Sequence, residues 1–168
     1  MKAVVVYESL WGNTAAIAGA IAEGLGDGAR ALSTSAAEAE TLDGVALIVA
    51  GAPILGFSLP TDQMRKQLGT TPSPGAPEAN LSDPSMRNWI DALPTGSAGF
   101  ATFETRIWWS PGSSAKTIAK LLTSKGYLEA APSEKFLVTG RYGPLKDGEL
   151  DRARAWGATL ARATGAAS

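Results

Sequence analysis

A chain of 168 residues with no cysteine and no histidine excludes disulfides, thiolate metal sites, thiol nucleophiles and imidazole chemistry. Lys+Arg of 15 against Asp+Glu of 16 leaves a formal charge of −1, with no basic surplus for nucleic acid and no polybasic run for membranes. Redox chemistry in such a chain must be carried by a cofactor. With no apolar stretch long enough to span a bilayer and no signal-peptide pattern, the expectation is a soluble, cytoplasmic protein, one domain over 1–168.

Ala3–Tyr7 is apolar and β-branched, which predicts a strand covered on both faces. Ile17, Ile21 and Leu25 then recur at helical spacing, so the loop Ser9–Thr14 joins a strand directly to a helix. Its hydroxyl, Gly and Asn residues present unpaired N–H groups at the positive end of the helix dipole, a setting suited to phosphate. That setting points to a nucleotide or flavin site; the alternative is a plain connection capped by Asn13 or Thr14. Neither a Gly-x-Gly-x-x-Gly fingerprint nor a Gly-Lys-Ser/Thr phosphate loop is present here.

Ala29–Ser33 reads as a weak second strand, followed by a polar Ala/Glu stretch and a turn at Asp43-Gly44. Val45–Ala50 is a buried third strand ending at Gly51-Ala52-Pro53. The crossover beyond it is long. It holds a short helix over 61–68, a Pro/Gly/Ser-rich stretch over 70–84 read as a surface excursion, and a helix burying Met86, Trp89, Ile90 and Leu93 between Pro84 and Pro94.

Ser97–Phe103 predicts a fourth strand, and Ser113 or Ser114 caps a helix carrying Ile118, Leu121 and Leu122 up to Gly126. Segments 127–130 and 136–139 read as one fifth strand interrupted around Pro132. A last helix over 147–162 turns Leu150, Ala153, Gly157 and Leu160 inward, with Asp147 and Glu149 compensating its dipole. Alternating strands and helices predict an α/β fold: a doubly wound five-stranded parallel sheet with helices on both faces.

Ser9-x-x-Gly12-Asn13-Thr14 after a first parallel strand resembles the phosphate loop of the flavodoxin family, and the element order resembles that family over nearly the whole chain. The resemblance implies the flavodoxin-like strand order 2-1-3-4-5, with ligands beyond the carboxyl ends at the switch point between the first and third strands. It implies flavin mononucleotide (FMN), its phosphate wrapped by Ser9, Leu10, Trp11, Gly12, Asn13 and Thr14. Trp11 stands where the family usually has a hydroxyl residue, which leaves that contact to backbone N–H groups.

After the third strand, Pro53, Ile54, Leu55, Gly56 and Phe57 are placed against one side of the isoalloxazine, whose flat π-system suits apolar and aromatic neighbours. Ile54 and Leu55 occupy positions where some relatives have a Thr-His pair, so a proton donor is missing; the alternative is that Ile54, Leu55 and Phe57 fill the top of the core. After the fourth strand, Thr102, Phe103, Glu104, Thr105 and Arg106 are placed at the pyrimidine edge and the other face. Phe103 is the candidate stacking ring unless strand alternation turns it into the core.

Arg106 is placed to stabilise a reduced flavin near N1 and O2, or else to pair with Glu104 at the surface. With little net charge, the reduced flavin is expected to sit at a higher potential than in an acidic, ferredoxin-substituting flavodoxin. Trp108 and Trp109 are read as packing residues, the alternative for one of them being a cover over the flavin. Thr139–Leu145 is read as a turn, with a rim above the fourth-strand loop as the alternative.

The expected function is electron transfer by bound FMN, with a redox protein or a small-molecule acceptor as partner. Two alternatives stay open. One is an FMN-dependent NAD(P)H or quinone reductase, with a homodimer supplying a wall; the other is a binding module that has kept the fold and lost the flavin.

Overall fold

The computed structural model describes residues 2–26, 28–38 and 42–165, and its strands form one parallel sheet. β1 (Ala3–Tyr7) lies between β2 (Arg30–Ser33) and β3 (Leu47–Pro53); β4 (Gly99–Arg106) pairs with the other side of β3. The order 2-1-3-4-5 follows, as expected. The fifth position is shared by two short strands, β5 (Leu128–Glu129) beside Gly99 and Phe100, and β6 (Glu134–Leu137) beside Phe103 to Arg106. Pro132, which cannot donate to a ladder, lies in the gap between them.

Strand alternation divides the core. Val5, Leu47, Val49, Ala101 and Phe103 face helices α1 (Asn13–Leu25) and α6 (Glu149–Ala163). Val4, Val6, Ile48, Ala50 and Phe100 face the other layer, where Trp89 and Ile90 of α4 (Met86–Ala92) and Ile118 and Leu122 of α5 (Ser114–Ser124) are buried. Two short helices complete the set, α2 (Thr34–Glu38) and α3 (Asp62–Thr70). On α1 and α6 the layer is close-packed: a Cβ on Gly157 would stand 2.3 Å from Ile21 O, and one on Gly24 1.9 Å from Arg154 O.

The predicted inward faces hold for Ile17, Ile21 and Leu25 on α1 and for Ala153, Gly157 and Leu160 on α6. Leu150 is a correction, exposed on the first turn of α6. The fourth strand also runs three residues further than expected, to Arg106, because its polar end is paired internally and does not need solvent. No helix among the described residues is long and apolar enough to cross a membrane.

Candidate functional site

The carboxyl ends of β1, β3 and β4 converge at the switch point, and the loop after β1 opens directly onto α1. Gly12, its N-cap, sits at φ 91, the left-handed region that suits glycine. First-turn N–H groups of a helix lack intrahelical acceptors. Here Gly12 N and Ala15 N both donate to Ser9 Oγ, at 3.1 and 3.2 Å, so a side-chain oxygen already occupies the focus of the helix end. Thr14 Oγ1 shares a buried 2.8 Å hydrogen bond with Thr105 Oγ1, tying the loop to β4. Leu10 is in the core and offers a ligand only its backbone.

Trp11 and Asn13 are engaged by a segment 129 residues away. Asn13 Nδ2 donates to Tyr142 O (3.1 Å), and the Trp11 and Tyr142 rings meet edge to face at 4.9 Å. Thr139–Leu145 is therefore more than a turn: it also packs on the loop after β1. Sequence reasoning missed this, since nothing local to Tyr142 marks a contact so distant in the chain.

The loop after β3 closes into a tight hairpin. Leu55 N donates to Ser58 O (2.9 Å) and Ser58 N to Leu55 O (3.2 Å), with Gly56 at φ 56 and Phe57 at φ 67 between them. Two successive positive φ values are the signature of a twisted two-residue turn, and at Phe57 they strain a residue that has a Cβ. Leu55 is buried, while Pro53 and Ile54 are half-buried. Phe57 is 59% exposed, held out by the turn, so it does not fill the core. Gly56 and Phe57 thus form the exposed tip of this loop, with the Phe57 carbonyl packed against Gly112.

Beyond β4 the outcome is mixed. Phe103 is a correction: it is fully buried against Phe136, and its ring lies where a Cβ on Gly51 would be (2.3 Å), so it cannot stack on a ligand. Thr102 is buried deep in the strand, bonded to Ser133 Oγ (2.8 Å), and is likewise outside the site. Glu104 is buried too and caps α5, accepting from Ser113 Oγ (2.5 Å) and Ala115 N (3.1 Å). Trp108 and Trp109 do not pack: they form a turn closed by Ser110 N to Ile107 O (3.0 Å) and are 76% and 61% exposed.

Arg106 is neither solvated nor unpaired. Its Nη1 donates to Glu104 Oε2 (2.8 Å) and Gly112 O (3.0 Å). Its Nε is buried with no hydrogen-bond partner, the one such side-chain atom among the described residues. Opposite it stands a residue pair the sequence did not flag. Glu8, buried at the end of β1, accepts from Arg65 Nη1 (2.7 Å) and from Met86 N (2.8 Å) at the start of α4. Burial pushes the Glu8 carboxyl up, against the opposing pull of Met86 N–H and Arg65.

Two cavities flank Trp11. The first is a crevice of about 70 Å³ where Asn13, Thr14, Ile54, Thr105, Arg106 and Arg141 meet. It gathers eight expected site residues: Leu10, Trp11, Asn13, Thr14, Pro53, Ile54, Thr105 and Arg106. The second is a groove of about 960 Å³ between α3, the 71–82 excursion and Tyr142, which takes in Leu55 and Gly56. The excursion is tethered to the loop after β1 by Trp11 Nε1 to Pro77 O (3.3 Å) and Asn80 N to Leu10 O (2.8 Å).

No protein-family model matches the chain, and no curated protein matches it. Solved structures do. An archaeal flavodoxin superposes with TM-score 0.67 at 22% identity, covering 98% of this chain and 99% of that one. Flavodoxin 2 from Bacillus cereus gives 0.66 at 16%, covering 96% and 99%. A flavodiiron core from Synechocystis gives 0.62 at 22%, covering 100% of this chain and 37% of that protein. At such identities the likeness establishes the fold, which is flavodoxin-like.

Proposed function

We propose that this chain, as a protein of flavodoxin-like fold, binds FMN at the switch point and serves in electron transfer. One observation carries the reading: Asn13 and Thr14 of the first turn of α1 and Arg106, whose Nε has no hydrogen-bond partner, line the same crevice. These donors fit an anionic, hydrogen-bonding ligand. At about 70 Å³ the crevice takes a phosphoryl group rather than a whole nucleotide, which calls for several hundred cubic ångströms.

The ring end fits the outer rim. Phe57, Trp108 and Trp109 are the large aromatics most exposed on the chain, and all three stand on the loops after β3 and β4. When bound, the flavin supplies the redox chemistry, which no cysteine or histidine is present to provide. The chain would hold the phosphate with Ser9, Asn13, Thr14 and first-turn N–H groups, offer the Gly56–Phe57 tip and the exposed aromatics to the ring, and set nearby charge with Arg106. Its partner would be a redox protein or a small-molecule acceptor.

A second reading, a binding protein that keeps the fold without flavin, draws support from Trp11, which stands on the loop after β1 with its ring held against Tyr142. The purified protein's visible absorbance, followed by titration of colourless protein with FMN and riboflavin by flavin fluorescence, decides between them. Stoichiometric quenching by FMN, tighter than by riboflavin, supports the flavin reading and its phosphate site. No bound flavin and no quenching by either leaves the flavin-free reading.

A further inference from the structure

We propose that the groove beside Trp11 is a separate ligand site, one for a planar aromatic carboxylate held by its anionic end at Arg141. The groove is of small-molecule size, about 960 Å³, and mixes apolar side chains with polar ones such as Gln67, Asn80 and Arg141. Met64 and Leu68 of α3 line one side, and Trp11 and Tyr142 line another. Flat aromatic ligands suit such walls, since the Trp11 and Tyr142 rings meet edge to face and methionine sulfur packs well on π-systems.

Arg141 sets the charge of the ligand. It is exposed and lies 5.7 Å from the centroid of the Tyr142 ring. Arg65, Arg87, Arg106, Arg152, Arg154 and Arg162 all donate hydrogen bonds, and Arg30 is also partnered. Among the described residues Arg141 is the arginine with no hydrogen bond and no ion pair. Glu78, the one carboxylate lining the groove, does not pair with it, so the guanidinium stays uncompensated. A planar fork of donors beside an aromatic ring matches a carboxylate on a flat body.

Arg141 and Trp11 line both cavities, so the anionic end of a ligand in the groove would lie beside whatever fills the crevice. Trp11, Leu55 and Gly56 are shared with the proposed flavin site, whereas α3 and the 71–82 excursion line the groove alone.

The test is calorimetric titration of colourless protein with naphthoate and with its neutral analogue naphthylmethanol, at low salt, repeated on FMN-saturated protein. Wild type is expected to bind naphthoate more tightly than the alcohol. Arg141→Gln should weaken naphthoate roughly tenfold and leave the alcohol unchanged. Ala76→Trp, which fills the groove from the excursion, should abolish binding of both while FMN titration proceeds as in wild type. No naphthoate binding, an Arg141→Gln affinity equal to wild type, or unaltered binding in Ala76→Trp each overturns the proposal. One-for-one competition between FMN and naphthoate does so too, since it would mean a single site. Failure to bind FMN alone leaves the groove standing and removes only the flavin reading.

Discussion

Glu8 and Glu104 make matching arrangements on opposite sides of the switch point. Each is a buried carboxylate near the end of a strand, each accepts a backbone N–H at a helix start (Met86 of α4, Ala115 of α5), and each pairs with an arginine. They differ in what the arginine has left over. Arg65 is buried and also donates to Asp83 O, so it closes the structure around the excursion. Arg106 keeps an unpartnered Nε and lines the crevice. The same device is a clamp at β1 and a clamp with a spare donor at β4.

The comparison is tested most severely by truncation. Glu8→Ala leaves a buried guanidinium and the Met86 N–H unpaired, which is expected to cost about 3–5 kcal/mol in urea unfolding. Glu104→Ala is expected to cost only about 2 kcal/mol, because Ser113 still caps α5 and Arg106 can turn toward water. Equal losses would mean that the two sites are energetically alike despite the difference in their arginines.

Acid titration sharpens the role of Glu8 against a third buried carboxylate. Glu149 accepts from Leu137 N (2.7 Å) and from Arg152, whose hydrogen bond holds its carboxyl below the ordinary 4.5. It binds protons less tightly folded than unfolded, so its contribution is present above 4.5 and lost as pH falls through its lowered pKa. Glu8 has the opposite sign. Its raised pKa makes its contribution full below 4.5 and lost as pH rises through the raised value. Glu149→Gln should flatten the acid-side loss of stability and Glu8→Gln the loss above 4.5; wild-type slopes in both variants would contradict these assignments.

What could be read from sequence divides along the same lines. β1, β3 and the α1 stripe were legible because a strand covered on both faces requires unbroken apolar residues and a helix requires a 3.6 period. The polar end of β4 reads as a loop in the sequence, since Glu104 and Arg106 satisfy each other only once folded. Bulk favours burial for Trp108 and Trp109, whereas the turn at 107–110 turns both outward. Arg65, Tyr142 and the groove were invisible for one reason: each depends on contacts between segments far apart in the chain, which no local pattern encodes.

Trp11 tests the candidate site at smaller scale. Trp11→Ser removes the ring that meets Tyr142 and returns a hydroxyl to the loop. A new hydrogen bond to phosphate is expected to tighten FMN roughly tenfold, with riboflavin affinity unchanged. Weaker FMN binding would make Trp11 a wall that the site needs rather than an obstacle to it.

The smallest expected effect belongs to Arg106. Pairing with Glu104 already neutralises much of its charge, so Arg106→Ala should lower the potential of bound flavin only modestly, by about 30 mV, or roughly threefold for one electron. Arg106→Lys separates the two ways the residue can act. If charge is what matters, lysine keeps the wild-type potential; if the unpartnered Nε donates to the flavin, lysine behaves like alanine, because an ammonium cannot reproduce that directed bond. An unchanged potential and unchanged FMN affinity in both variants would reduce Arg106 to a partner of Glu104, and the β4 clamp would then be a copy of the one at β1.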